Sequence, residues 1–327
     1  MSNKYRQIWA RIRCYKNRSS ILAVPSLRRI PLRGPVVSST IGFTLFTWLG
    51  FEKNTLSAED ELVYTIKHCV LFIQRDEHDK AEQLLHVALR QAQQIQHQLG
   101  ITYIYDVMAN LALEREQLDK AKQLFVTVAQ RILADGATED DPRMVHISSK
   151  LARISHLKKE YTTAQIGYDW CIAKLQQLIE TTTDDVSTKK LLAMTQDWYG
   201  RLFIDCNQGE QGLSLMLSAL ELMKEVPDVE KEHIVIQLND IGTVCDKLGK
   251  SDDSITYLQE AIALGKELKM DELGTMYVNL GRAYLKKNMI AEATKSCGYG
   301  WKLGTMSKNN IIKQEAESCI KEIKNHS

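Results

Sequence analysis

The feature that most limits how this chain can fold is a small residue answered twelve positions later by another, six times over. The pairs are Cys69 and Ala81, Ala109 and Ala121, Ala152 and Ala164, Gly200 and Gly212, Gly242 and Ser254, and Gly281 and Ala293. Successive copies stand 40, 43, 48, 42 and 39 residues apart. Four residues after each second member comes a larger group (Leu85, Phe125, Tyr168, Met216, Leu258, Cys297), and three later a mostly small one (Ala88, Val128, Cys171, Ala219, Ala261, Gly300). A period of this length marks stacked copies of one supersecondary unit. Small residues in register let two helices approach closely, so each unit reads as a helix pair, A then B. Proline agrees: beyond residue 35 only Pro142 and Pro227 occur, and proline breaks helix interiors. No alternating run is long enough to propose a strand.

The sixth copy, YVNLGRAYLKKNMIAEA at 277–293, places Tyr277, Leu280, Gly281, Tyr284 and Ala293 on the tetratricopeptide pattern W-x2-L-G-x2-Y with its downstream Ala. Inside a helix Gly281 costs ~1 kcal/mol relative to Ala, and close packing accounts for it. The predicted fold is all-α: six tetratricopeptide helix pairs over 59–325, wound into a right-handed superhelix. A terminal helix at 309–325 caps it with a stripe of Ile311, Ile312, Cys319, Ile320 and Ile323. Extra length relative to a unit of about 34 residues is assigned to connectors at 134–142, 180–188 and 226–232. Asp141 before Pro142 reads as an N-cap and first turn, and Ser57 with Asp60 as a capping box. Glycine at both contact positions of the fourth copy predicts a loosely packed helix B there.

Charge divides the chain. The formal +1 total hides nine basic residues and no acid in the first 51 positions, leaving 33 basic against 41 acidic in the rest. A uniformly basic nucleic-acid binder is excluded. The acid-free leader has the composition of a mitochondrial presequence, and residues 1–33 are expected to be a transit peptide. Residues 34–51 form an uncharged run with Trp48 and Phe51 at its end and acids beyond. This predicts a single transmembrane segment, the alternatives being an interfacial helix or a sorting segment that is removed. As a helix its core spans about 24 Å against a bilayer interior of about 30 Å. Such a span would hold the basic flank in the matrix and the acidic body in the intermembrane space.

Chemistry is sparse. The seven cysteines lie at least 22 residues apart, which gives no metal-ligand pair and suits buried thiols better than a disulfide framework. No phosphate-binding loop, nucleophile elbow or paired-histidine zinc motif occurs. His68 and Cys69 are neighbours in a predicted helix and point about 100° apart, so they make no nucleophilic pair. Acid pairs at Asp140 and Asp141, Asp184 and Asp185, and Asp252 and Asp253 suit capping and solvation. Trp170, Trp198 and Trp301 read as packing or groove residues. No catalytic residue, metal or cofactor is implied; a protein-binding scaffold is. Ile66 and Val70 stand where a clamp for acidic chaperone tails would need Lys and Asn.

Several stretches in order carry a more specific resemblance: TYIYDVMANLA with LDKAKQLF within 102–125, SSKLARI with GYDWCI within 148–172, and LNDIGTVCDKLGKSDDSITYLQEA at 238–261. With the leader ahead of them they resemble the mitochondrial tetratricopeptide repeat protein 19 family, over roughly residues 59–325. The resemblance implies a non-enzymatic inner-membrane protein bound to respiratory complex III (ubiquinol–cytochrome c reductase). It also implies a part in maturation of the Rieske iron–sulfur subunit, through clearance of its N-terminal processing fragments. The alternative is a cytosolic cargo or scaffold adaptor resembling kinesin light chains, whose repeats have a similar length.

Overall fold

A computed structural model describes residues 57–181, 186–227 and 229–326. Among these residues the secondary structure is helical throughout: α1 (Ala58–Gln74), α2 (His78–Gln94), α3 (Gln98–Glu114), α4 (Leu118–Ala134), α5 (Pro142–Leu157), α6 (Tyr161–Thr181), α7 (Val186–Asp205), α8 (Gly209–Glu225), α9 (Lys231–Lys247), α10 (Ser251–Glu267), α11 (Leu273–Lys286), α12 (Ile290–Met306) and α13 (Asn310–His326).

Local chemistry sets the helix ends. Ser57 Oγ accepts from the Asp60 N–H at 3.1 Å while the Asp60 carboxylate accepts from the Ser57 N–H at 3.3 Å, the reciprocal box that opens α1. The Asp141 carboxylate accepts from the Arg143 N–H at 2.8 Å, with Pro142 in the first turn of α5. At their C-termini most helices stop through one left-handed residue. Eight of these residues are not glycine: Asp76, Gln96, Glu116, Lys159, Asn207, Lys269, Asn288 and Lys308, at φ 53–64°. The next N–H reaches back five residues, as from Glu77 to Phe72 (2.9 Å), Gln117 to Ala112 (2.9 Å) and Met289 to Tyr284 (3.0 Å). This is the Schellman arrangement, which satisfies the last carbonyls.

The described residues fall into two compact units, 57–135 and 136–326. The first packs α1 on α2 and α3 on α4 around Leu62, Leu85, Ile104, Met108 and Leu111. Arg115 at the end of α3 reaches Asp79 (2.8 Å) and Glu82 (2.5 Å) on α2, and Lys120 of α4 meets the same Glu82. The second unit pairs α5 with α6, α7 with α8, α9 with α10 and α11 with α12, and closes on α13. Its interior runs from Ala152, Tyr168 and Leu202 through Met216, Leu238, Ile241 and Leu258 to Val278, Cys297 and Ile323.

Three expectations change. The stretch 180–188 is not wholly connector: α6 reaches Thr181 and α7 begins at Val186, so part of the extra length makes helices of 21 and 20 residues. The transmembrane assignment is withdrawn, because no helix among the described residues is long and apolar enough to cross a membrane. The segment that prompted it, 34–51, and the 1–33 leader lie outside the described residues. Finally, Cys297 and Cys319 are disulfide-bonded, not free; a separation of 22 residues concealed that α13 folds back onto α12.

Candidate functional site

The twelve small residues of the repeat register all sit in the interior. Cys69, Ala81, Ala109, Ala121, Ala164, Ser254 and Ala293 are fully buried and Ala152 nearly so, and Gly200, Gly212, Gly242 and Gly281 are buried beside them. In the last three pairs the backbones nearly touch. A Cβ on Gly200 would stand 2.7 Å from the Gly212 carbonyl oxygen, and one on Gly212 would stand 2.6 Å from that of Gly200. A Cβ on Gly242 or on Gly281 would lie 3.2 Å from the oxygen of its partner, Ser254 or Ala293. The fourth pair is therefore tightly packed, not loose: the absence of two side chains closes the gap instead of leaving one.

Within the second unit another set of contacts, spaced by about one repeat, runs from one A helix to the next and on to α13. Arg201 of α7 lies between Asp197 (2.8 Å) on its own helix and Asp240 (2.7 Å) on α9, both carboxylates being almost fully buried. Burial opposes the Arg201 charge, but the two carboxylates outweigh it and hold the guanidinium proton more firmly than usual. Asn279 of α11 donates to Asn239 of α9 at 2.9 Å, Lys286 meets Asp246 at 2.8 Å, and Arg282 meets Glu315 of α13 at 2.8 Å. Nearer α5, His156 lies 3.0 Å from Asp205 and 3.0 Å from the Arg153 guanidinium, which also lies over the Trp198 ring. Burial lowers the His156 pKa in spite of Asp205, and burial with nearby Lys150 lowers that of His146 much further.

Outside these rows the residue types weighed for chemistry are structural. The His68 ring lies against Tyr64 with Nδ1 3.1 Å from the Tyr64 carbonyl, while burial pushes the Cys69 thiol up to about 12. Asp140 pairs with Lys174, Asp141 caps α5, and Asp252 pairs with Lys287; Asp184 and Asp185 lie outside the described residues. Trp170 and Trp198 are half-buried, and the exposed Trp301 donates to Glu317 at 3.1 Å. Sequence reasoning missed one cluster: Asp76 and His78 at the α1–α2 turn and Glu114 at the end of α3, with polar atoms within 4.8 Å of one another.

No protein-family model matches the chain. Individual relatives do. A Drosophila melanogaster protein named tetratricopeptide repeat protein 19 homolog, mitochondrial, is 38% identical over 283 residues, covering 86% of this chain and 77% of the relative. This chain belongs to the tetratricopeptide repeat protein 19 family. The human mitochondrial member is 29% identical over 276 residues, covering 81% of this chain and 73% of its own length. Among solved structures, the apo form of RapI superposes with a TM-score of 0.57 over 80% of both chains at 14% identity. The tetratricopeptide sensor-containing signal-transduction ATPase of Pyrococcus horikoshii gives 0.60 over 80% of this chain and 37% of its own, at 15% identity. A putative kinesin light chain from Podosopora anserina gives 0.51 at 13% identity over 63% of this chain and 95% of its own. At such identities these likenesses establish the all-α tetratricopeptide fold alone, so they lend the cargo-adaptor alternative no weight. Family and fold together make the protein a non-enzymatic mitochondrial tetratricopeptide scaffold.

Proposed function

We propose that the protein is an assembly and quality-control scaffold that binds respiratory complex III at the mitochondrial inner membrane. In this reading it assists maturation of the Rieske iron–sulfur subunit by promoting clearance of that subunit's N-terminal processing fragments. Residues 1–33 act as its transit peptide, the repeat body over 59–325 works in the intermembrane space, and another protein carries out the proteolysis. The observation that carries the reading is the family relationship across 283 residues, 86% of the chain, which is far longer than one generic copy. Helix-pair arrays recognise proteins through extended surfaces, and the acidic body has no feature suited to nucleic acid.

The test is loss of function read at the level of fragments. Mitochondria lacking the protein should retain Rieske N-terminal fragments on complex III, and the tagged protein should copurify with that complex from detergent extracts. Normal fragment clearance in the null, or purified complex III free of the protein, would remove the reading.

A further inference from the structure

We infer that the capping helix α13 is fastened by a covalent bond installed after import, through thiol–disulfide exchange with a protein disulfide donor, at Cys297 and Cys319. The inference rests on the reading that the repeat body faces the intermembrane space. Cys297 projects from α12 and Cys319 from α13, with Cα atoms 6.1 Å apart. That separation falls within the usual disulfide range of roughly 4.4–6.8 Å. Both residues are fully buried, among Val278, Ala293, Ala316 and Ile323. Gly281 makes the room: a side chain there would overlap the Cys297 sulfur.

The other described cysteines are poor candidates for the same chemistry. Cys69, Cys171, Cys206 and Cys245 stay free thiols in the folded protein, and once folded, burial raises the pKa of each, which disfavours the thiolate that exchange requires. With α13 docked, no donor can reach either sulfur of the bonded pair, so exchange precedes docking. One thiolate attacks the donor disulfide, giving a mixed disulfide and one donor thiolate. The second cysteine, as thiolate, then attacks the first cysteine's sulfur and expels the other donor sulfur. The pair loses two electrons and two protons, and the donor leaves as a dithiol.

The test counts thiols on the full chain in acid-quenched mitochondria, using a polymer-linked maleimide after denaturation. The wild type should take up two fewer maleimides before reduction than after it. Cys297→Ser and Cys319→Ser should each erase the difference and speed amide exchange across Asn310–His326 by about tenfold or more, while Cys206→Ser should leave the difference at two. Equal uptake before and after reduction in the wild type overturns the inference, as does unchanged exchange in Asn310–His326 once the bond is reduced. A reduced pair in a chain that still copurifies with complex III overturns the bond alone. An oxidised pair in a chain that does not copurify supports the bond and removes the partner.

Discussion

Replacing Gly200 by alanine tests the packing argument at its tightest point, provided Gly298→Ala is measured beside it. Both glycines lie inside helices, so alanine should add about 0.8–1 kcal/mol of helix stability at each. At Gly298 nothing stands within 4 Å of the new methyl, and the variant should show that gain undiminished. At Gly200 the methyl would stand 2.7 Å from the Gly212 carbonyl oxygen, 2.9 Å from Met216 Cγ and 3.4 Å from Leu215 Cβ. The Met216 side chain has rotamers in which to retreat; the Gly212 carbonyl, bonded within α8, does not. Helix α8 must therefore move off α7 by several tenths of an ångström, loosening contacts on both sides. Overpacking of this kind costs about 1–3 kcal/mol.

The two variants should thus differ by about 1–3 kcal/mol, with Gly298→Ala above the wild type and Gly200→Ala at or below it. Urea unfolding followed by far-ultraviolet circular dichroism measures the difference. Because repeat arrays unfold in parts, midpoints are to be compared only where the slopes agree. Equal stabilisation by both alanines would refute the claim that the paired glycines are there for helix contact. A conserved slope with a lower midpoint for Gly200→Ala would place the cost in the folded state.

Three further outcomes follow from the same structure. Arg201→Met should destabilise the second unit by about 3–5 kcal/mol, because it leaves the buried Asp197 and Asp240 carboxylates facing each other uncompensated; adding Asp197→Asn and Asp240→Asn should recover part of that loss in the same urea assay. Stability should fall as pH drops below about 6.5, because burial lowers the folded-state pKa values of His146, His156 and His233; below their ordinary pKa the unfolded chain takes up protons that the folded chain refuses. Urea midpoints that stay flat from pH 7.5 to 5 would contradict this. Lys269→Gly should raise the unfolding free energy by up to ~1 kcal/mol, read as a higher urea midpoint at unchanged slope, since Lys269 holds φ at 55°, a region glycine enters without steric cost.

The helix pairs were legible because their determinants are local and periodic: a small residue at every A–B contact, an N-cap at Ser57 and Asp141, and prolines kept out of helix interiors. The stop signals were not legible, because eight left-handed turn residues are Asp, Gln, Glu, Lys or Asn and give no glycine to read. Glu180 and Thr181 were read as connector because acids and hydroxyls favour caps and turns; packing of α6 carries the helix through them. The A-to-A rows were invisible for another reason. Arg201 with Asp240, and Asn239 with Asn279, are 39 and 40 positions apart, and charged residues on a helix are ordinarily solvated. Only the stacking of one copy on the next buries them.

The disulfide did leave a trace in the register. The position four residues after the second small residue holds Leu85, Phe125, Tyr168, Met216 and Leu258 in the first five copies and Cys297 in the sixth. In those five the side chain is fully buried and fills the space between the paired helices. Cysteine is smaller than any of those five side chains, and buried volume left unfilled costs stability. In the structure Cys319 reaches Cys297 from α13, and both are fully buried. The five copies that continue into another repeat thus carry a larger side chain there. The copy that ends the array carries half of a bond whose other half arrives with the cap. The undersized residue at Cys297 is therefore the sequence signature of a terminal repeat completed by its capping helix.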